Sequence, residues 1–186
     1  MRTLLVMRHA KSSWTNAHLS DHDRPLNERG ERDAPRMGRW LAAHDLEPDV
    51  ILCSSAARAH ATADHVAAET GAQAPIIRSS LYGGDVEDYV AELARLADDV
   101  EVALIVGHSP TVSLVVTELV DQDEDMPTAA VAVIELPIDR WPDLGEDVEG
   151  RLVAVWRPRE IADGSMSMKM GTRPKKRRAR QGEKNV

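Results

Sequence analysis

The chain has 186 residues, 42% of them hydrophobic, with a formal net charge of −8 and one cysteine. That length and apolar share suit a single globular domain and exclude a wholly disordered chain, while a lone cysteine excludes an intramolecular disulfide. The charge is unevenly divided: residues 169–186 hold eight of the 23 Lys and Arg and one of the 31 acids, a net +7, and the rest carries −15, which excludes nonspecific nucleic-acid binding by the body.

The first apolar run, TLLVM at 3–7, stops abruptly at Arg8 and His9. A short apolar run closed by polar residues reads as an interior strand of a parallel sheet, and α/β proteins place ligands at the C-terminal ends of such strands. The run is also too short for the ~7–15 apolar residues of a signal peptide, and nothing later approaches a membrane span, so no membrane contact and a cytoplasmic location are expected. A helical pattern follows over 28–44, with Met37, Trp40 and Leu41 on one side. The second strand, DVILC at 49–53, holds Cys53, which reads as a core residue because no base is placed beside it. A helix over 56–70 and a weaker strand at 75–78 come next, then a helix over 86–98 through Val86, Tyr89, Val90, Leu93 and Leu96. The third strong strand, 101–106, leads into a helix over 109–121, for which Ser109 and Pro110 read as N-cap and first residue. Strands at 129–136 and 151–156 flank a surface loop, 137–150, rich in Pro, Gly and acids. With no clear helix between them, that edge of the sheet is expected to be antiparallel.

Strands alternating with helices predict a three-layer α/β/α sandwich with a mostly parallel central sheet. The domain is expected to occupy residues 1–160, with 161–186 as a disordered basic tail. The tail's KKRRAR run has no interleaved aromatics for base stacking, so it reads as a solubilising segment able to contact anionic partners.

The three strongest strands end in RHA (8–10), SSAAR (54–58) and GHSP (107–110). Parallel strands bring these ends to one edge, so Arg8, His9, Arg58 and His108 converge from distant positions. Guanidinium forks and imidazole donors near helix N-termini suit a tetrahedral oxyanion, so the site is built for phosphate. Two arginines about 5 Å from an imidazole each disfavour its cation by roughly 3 kcal/mol, about two pKa units apiece. His9 is therefore expected to be neutral at pH 7, with a ring nitrogen free to attack phosphorus.

These residues resemble the histidine phosphatase superfamily, whose best-known branch is the phosphoglycerate mutases. The resemblance rests on RHA, on the S-x-x-x-R-A-x-x-T spacing of SSAARAHAT at 54–62, and on GHSP; DHDRPLNERG at 21–30 and Gly83-Gly84-Asp85 look like its SixA-type phosphohistidine phosphatases. It covers residues 1 to about 157 and implies a phosphoglycerate mutase-like fold. It implies that His9 forms a phosphohistidine intermediate, that Arg8, Arg58 and His108 hold the phosphoryl oxygens, that Arg24 lies near the phosphate with Asp21 beside it, and that neither metal nor cofactor is needed. Ala10 stands where most of the superfamily has Gly. Larger relatives supply a glutamate proton donor from an insert that this chain lacks, leaving Asp85, Glu87 and Asp88 as weak candidates beside Asp21. An imidazole leaving group can already carry a proton on its distal nitrogen, whereas an alkoxide needs one in the transition state. A donor-poor site therefore favours phosphohistidine on a protein over a small phosphoester substrate. A broad phosphomonoesterase and a noncatalytic phosphate-binding protein are the competing readings.

Other polar residues read as structural. His18 and His22 have i, i+4 spacing but occupy a turn-like stretch without further metal ligands, and His44, His60 and His65 read as helix-end, exposed or structural. Ser12, Ser13 and Ser109 read as turn or helix caps, and Trp14 and Tyr82 as rim or core aromatics.

Overall fold

The computed structural model describes residues 1–145 and 147–162. Its elements run β1 (Arg2–Arg8), α1 (Glu28–Ala43), β2 (Val50–Ser54), α2 (Ala57–Thr70), β3 (Ile76–Arg78), α3 (Val86–Ala94), β4 (Val102–Gly107), α4 (Thr111–Val120), β5 (Val131–Leu136), β6 (Arg151–Trp156) and α5 (Pro158–Ala162). The sheet order is β3-β2-β4-β1-β5-β6. The pairs β2–β3, β2–β4 and β1–β4 are parallel, and β1–β5 and β5–β6 are antiparallel.

Alternation along the central strands explains the unbroken apolar runs. Leu4, Val6, Ala103 and Ile105 pack on one side against α3 and α4, through Leu93, Val112, Val115, Val116 and Leu119. Leu5, Met7, Leu104 and Val106 pack on the other against α1 and α2, through Met37, Leu41, Ala59, Ala63 and Val66. A strand covered on both faces needs apolar residues at every position. In a core without Phe, the largest wholly buried side chains are Trp141, Trp156 and Tyr89.

Several boundaries differ from those read from sequence. The helix expected over 109–121 begins at Thr111; Pro110 occupies the N-cap position and Ser109 does not cap it. The 137–150 loop contains a 3₁₀ turn, Trp141–Asp143, whose indole is fully buried and donates to the carbonyl of Val100 at 2.9 Å. Proline, glycine and acids around Trp141 masked this core plug. Of the expected tail, Ile161 and Ala162 end α5, and the remainder lies outside the described residues.

Candidate active site

Register places the site. Arg8 and Gly107 are paired at the ends of β1 and β4, so the residues that follow them, His9 and His108, emerge side by side. The backbone N–H of His9 donates to Gly107 O at 2.9 Å, and the two imidazole centroids stand 5.1 Å apart. Arg58 enters from the first turn of α2, which follows β2 on the far side of β4. A cleft of roughly 480 Å³ at this sheet edge is lined by Arg8, His9, Asp21, Arg24, Arg58, Tyr82, Gly83, His108 and Ser109.

His9 is 7% exposed, and its Nδ1 lies 2.7 Å from Ala10 O. A carbonyl only accepts, so Nδ1 carries the proton and Nε2 keeps its lone pair. Arg58 Nε approaches that lone pair at 3.3 Å. The ring is pushed down to a pKa of about 3 by burial first, opposed by the bond to Ala10 O and reinforced by His108, Arg58 and Arg8. The expected neutrality holds, but withdrawal from water leads its causes and the arginines come after.

A fully buried threonine fixes this arrangement. Thr62 Oγ1 accepts from the Ala10 N–H at 2.9 Å and donates to Arg58 O at 2.6 Å. The backbone at Ala10, whose carbonyl holds the His9 proton, is thereby tied through its N–H to the turn of α2 that carries Arg58.

His108 is held by Ser54, which is also fully buried; Ser54 Oγ lies 2.8 Å from His108 Nε2 and accepts from the Ala56 N–H at 3.3 Å. Ser54 Oγ thereby fixes the orientation of the His108 ring through Nε2. The other ring nitrogen, Nδ1, lies 3.4 Å from Arg58 Nη2, which donates to it. Burial first, and then Arg58, lowers His108 to about 4. Its backbone N–H donates to the buried Tyr89 hydroxyl at 3.2 Å, which donates to Leu81 O.

Asp21 joins the arginines. Its Oδ1 accepts from Arg24 Nε and Nη2 at 3.0 and 2.8 Å, and its Oδ2 accepts from Arg58 Nη2 and the Tyr82 hydroxyl, each at 3.0 Å. Arg58 Nη1 also donates to Asp21 O at 2.6 Å. Partial burial would raise the carboxyl, but Arg24, Tyr82 and Arg58 outweigh it and hold the pKa at about 2. Arg24, 7% exposed, further donates to Ser12 Oγ at 2.7 Å and lies 3.5 Å from the ring centre of Trp14, itself 72% exposed. Arg8 donates to Met126 O at 3.1 Å; burial lowers its pKa, with Asp125 acting the other way.

The structure thus brings together Arg8, His9, Arg24, Arg58, His108 and Asp21. It does not bring Asp85, the other candidate acid: that carboxylate is the N-cap of α3, accepting from Asp88 N–H within a reciprocal capping box. Sequence reading also gave no role to Ser54, Thr62 or Tyr89; the first and second stand inside the S-x-x-x-R-A-x-x-T spacing, and the third was visible only as one residue of an apolar helix face. His22 contacts Asp23 and Ser55, and His60 and His65 pair with Asp64 and Glu31.

Residues 4–82 match the model of the histidine phosphatase superfamily, branch 1. An uncharacterized protein of Mycobacterium tuberculosis is 37% identical over 150 residues, covering 74% of this chain and 91% of its own length. The chain belongs to the histidine phosphatase superfamily. Among solved structures, the SixA protein of Nakamurella multipartitia shares 34% identity with a TM-score of 0.73, across 84% of this chain and 96% of that one. The protein histidine phosphatase SixA complexed with tungstate shares 26% identity, also with a TM-score of 0.73, across 86% and 99%. The phosphoglycerate mutase-like fold follows, and these histidine phosphatase neighbours support phosphatase activity. No helix among the described residues is long and apolar enough to cross a membrane.

Proposed function

We propose that this histidine phosphatase uses His9 as its nucleophile and acts on phosphohistidine carried by a protein, without a metal ion. The observation that carries the reading is the locked tautomer of His9, with Nδ1–H on Ala10 O and the Nε2 lone pair facing Arg58 beside Arg8 and His108. Nε2 attacks phosphorus, and the bond from phosphorus to the substrate imidazole breaks with its electron pair returning to that ring. The departing imidazole, already protonated on its distal nitrogen, leaves neutral and needs no acid. The Nδ1–H bond to Ala10 O strengthens as the His9 ring takes on positive charge. Water then attacks phosphorus, the P–Nε2 bond breaks, and both hydrogens of water leave with the phosphate. Arg8, Arg58 and His108 stabilise the phosphoryl oxygens, with Arg24 behind them.

Asp21 supports the choice of substrate. It is the only carboxylate among the described residues lining the cleft, and near pKa 2 it is ionised at neutral pH and holds no proton to give. Its place in this scheme is to orient Arg58 and Arg24. The tungstate named in the SixA complex is a tetrahedral oxyanion, consistent with the same use of this site.

The test is brief incubation with a labelled phosphodonor, a denaturing quench, and mapping of an acid-labile, base-stable label to His9. His9→Ala is expected to abolish both label and turnover; near-wild-type turnover in that variant overturns the mechanism. Rates on phosphohistidine, phosphoserine and a sugar phosphate test the substrate, and a clear preference for the esters overturns it in favour of a broad phosphomonoesterase.

A further inference from the structure

A second cleft, of roughly 440 Å³, adjoins the first and shares Arg8 with it. Its cations are Arg8, Lys11, Arg29, Arg157 and Arg159, set against two acids, Asp125 and Glu160. In a body that carries −15 outside its last 18 residues, a concavity of net +3 next to the reacting group has a local use.

The cations divide into committed and free. Arg29 donates to Asp33 at 3.1 Å, and Arg157 pairs with Glu124 at 2.9 Å and Glu160 at 3.6 Å. Arg8 is anchored by Met126 O, while its buried Nε has no partner among the described residues. Lys11 and Arg159 are exposed and, among the described residues, neither has a side-chain ion pair or hydrogen bond. They stand on separate elements, Lys11 just past β1 and Arg159 on α5.

We propose that this cleft is a docking subsite for acidic side chains flanking the phosphorylated residue of a protein substrate, with Lys11 and Arg159 as the specificity-determining cations. The proposal rests on reading the adjoining cleft as a phosphoryl-transfer site. Arg8 joins the two clefts, so an extended substrate with its phosphoryl group on His9 passes directly into the cationic one. Long, mobile cations at the rim of an acidic body select partners by charge more than by shape, and the rest of the surface repels an acidic partner that docks elsewhere.

The experiment compares two peptides of equal length, each with one phosphohistidine, flanked by three glutamates or by three glutamines. Phosphoramidate serves as a small donor that cannot reach the second cleft. Wild-type enzyme is expected to turn over the glutamate peptide with about tenfold higher kcat/KM at low salt, through KM, and to lose most of that preference at high salt. The Lys11→Glu, Arg159→Glu double variant is expected to abolish or reverse the preference while hydrolysing phosphoramidate at the wild-type rate. Equal rates on the two peptides with wild-type enzyme overturn the subsite. So does a preference that survives the double variant, or a double variant that loses phosphoramidate turnover as well. Failure of wild-type enzyme to turn over either peptide or phosphoramidate instead overturns the reading of the first cleft.

Discussion

Thr62→Val replaces a buried hydroxyl with a methyl of nearly the same shape, so it removes hydrogen bonds without leaving a cavity. Two bonds are lost, one of 2.9 Å from the Ala10 N–H and one of 2.6 Å to Arg58 O. The Arg58 carbonyl lies in the first turn of α2 and keeps its helical partner. The Ala10 N–H is left buried and unpaired, at a cost of about 1–3 kcal/mol. For a domain of this size that corresponds to a fall in Tm of roughly 2–12 °C. The catalytic effect is separable from the stability effect. Once the backbone at Ala10 can shift about the residue that Thr62 anchored, the next peptide's carbonyl, Ala10 O, no longer fixes the His9 proton on Nδ1, and the ring divides between tautomers and orientations. We expect kcat to fall about tenfold or more with KM within about twofold of wild type, because the guanidinium groups of Arg8 and Arg58, the proposed phosphoryl ligands, are not touched directly. Calorimetry gives Tm, steady-state kinetics on a phosphohistidine peptide give the two constants, and nitrogen NMR of labelled His9 reports the tautomer. Thr62→Ser, which keeps the hydroxyl, is expected to restore kcat and the Nδ1–H form. A Thr62→Val protein with wild-type Tm, kcat and tautomer would refute the argument.

Three further outcomes follow. The folded-state pKa values of His9 and His108, about 3 and about 4, lie below the ~6.5 of an unfolded histidine, so the unfolded chain binds more protons across that interval. Stability is therefore expected to fall as pH drops from about 6.5 towards 4, by up to about 1.4 kcal/mol per pH unit for each ring; urea titrations at stepped pH measure this, and His9→Asn should flatten the slope. Asp21→Asn should slow phosphoimidazole and aryl phosphate by a similar factor, roughly tenfold, because it loosens Arg58 and removes no acid; a loss confined to the poorer leaving group would restore Asp21 as a proton donor. Gly107→Ala would drive a methyl carbon into the Tyr89 hydroxyl and to 2.7 Å from its ring, so it should lower Tm markedly and displace the backbone of His108, read by calorimetry and by loss of turnover.

The parts of the site that could be read in the sequence were those that local pattern carries. Apolar runs ending in Arg8-His9, Ser54 and Gly107-His108 gave the strand ends, and the α/β alternation brought those ends to one sheet edge. The antiparallel edge followed from the missing helix between β5 and β6. What escaped depends on contacts between residues far apart in the chain. Nothing near Asp21 announces that its two oxygens divide between Arg24 and Arg58, and Asp85, equally acidic, is consumed locally by its own helix. The neutrality of His9 was anticipated from visible charges, yet its leading cause is burial, which arises only when β1, β4 and α2 close around the ring. Ser109 and Pro110 had the composition of a helix start, but the helix begins two residues later, as His108 leaves β4 for the cleft.

Cys53 lies within β2, wholly enclosed, and burial pushes its thiol up to about 12. At neutral pH almost no thiolate exists there, and the side chain has no exposed surface. The lining of the candidate cleft contains no sulfur to be lost, so on the proposed mechanism peroxide or iodoacetamide at doses that silence thiol-dependent phosphatases should pass this protein by.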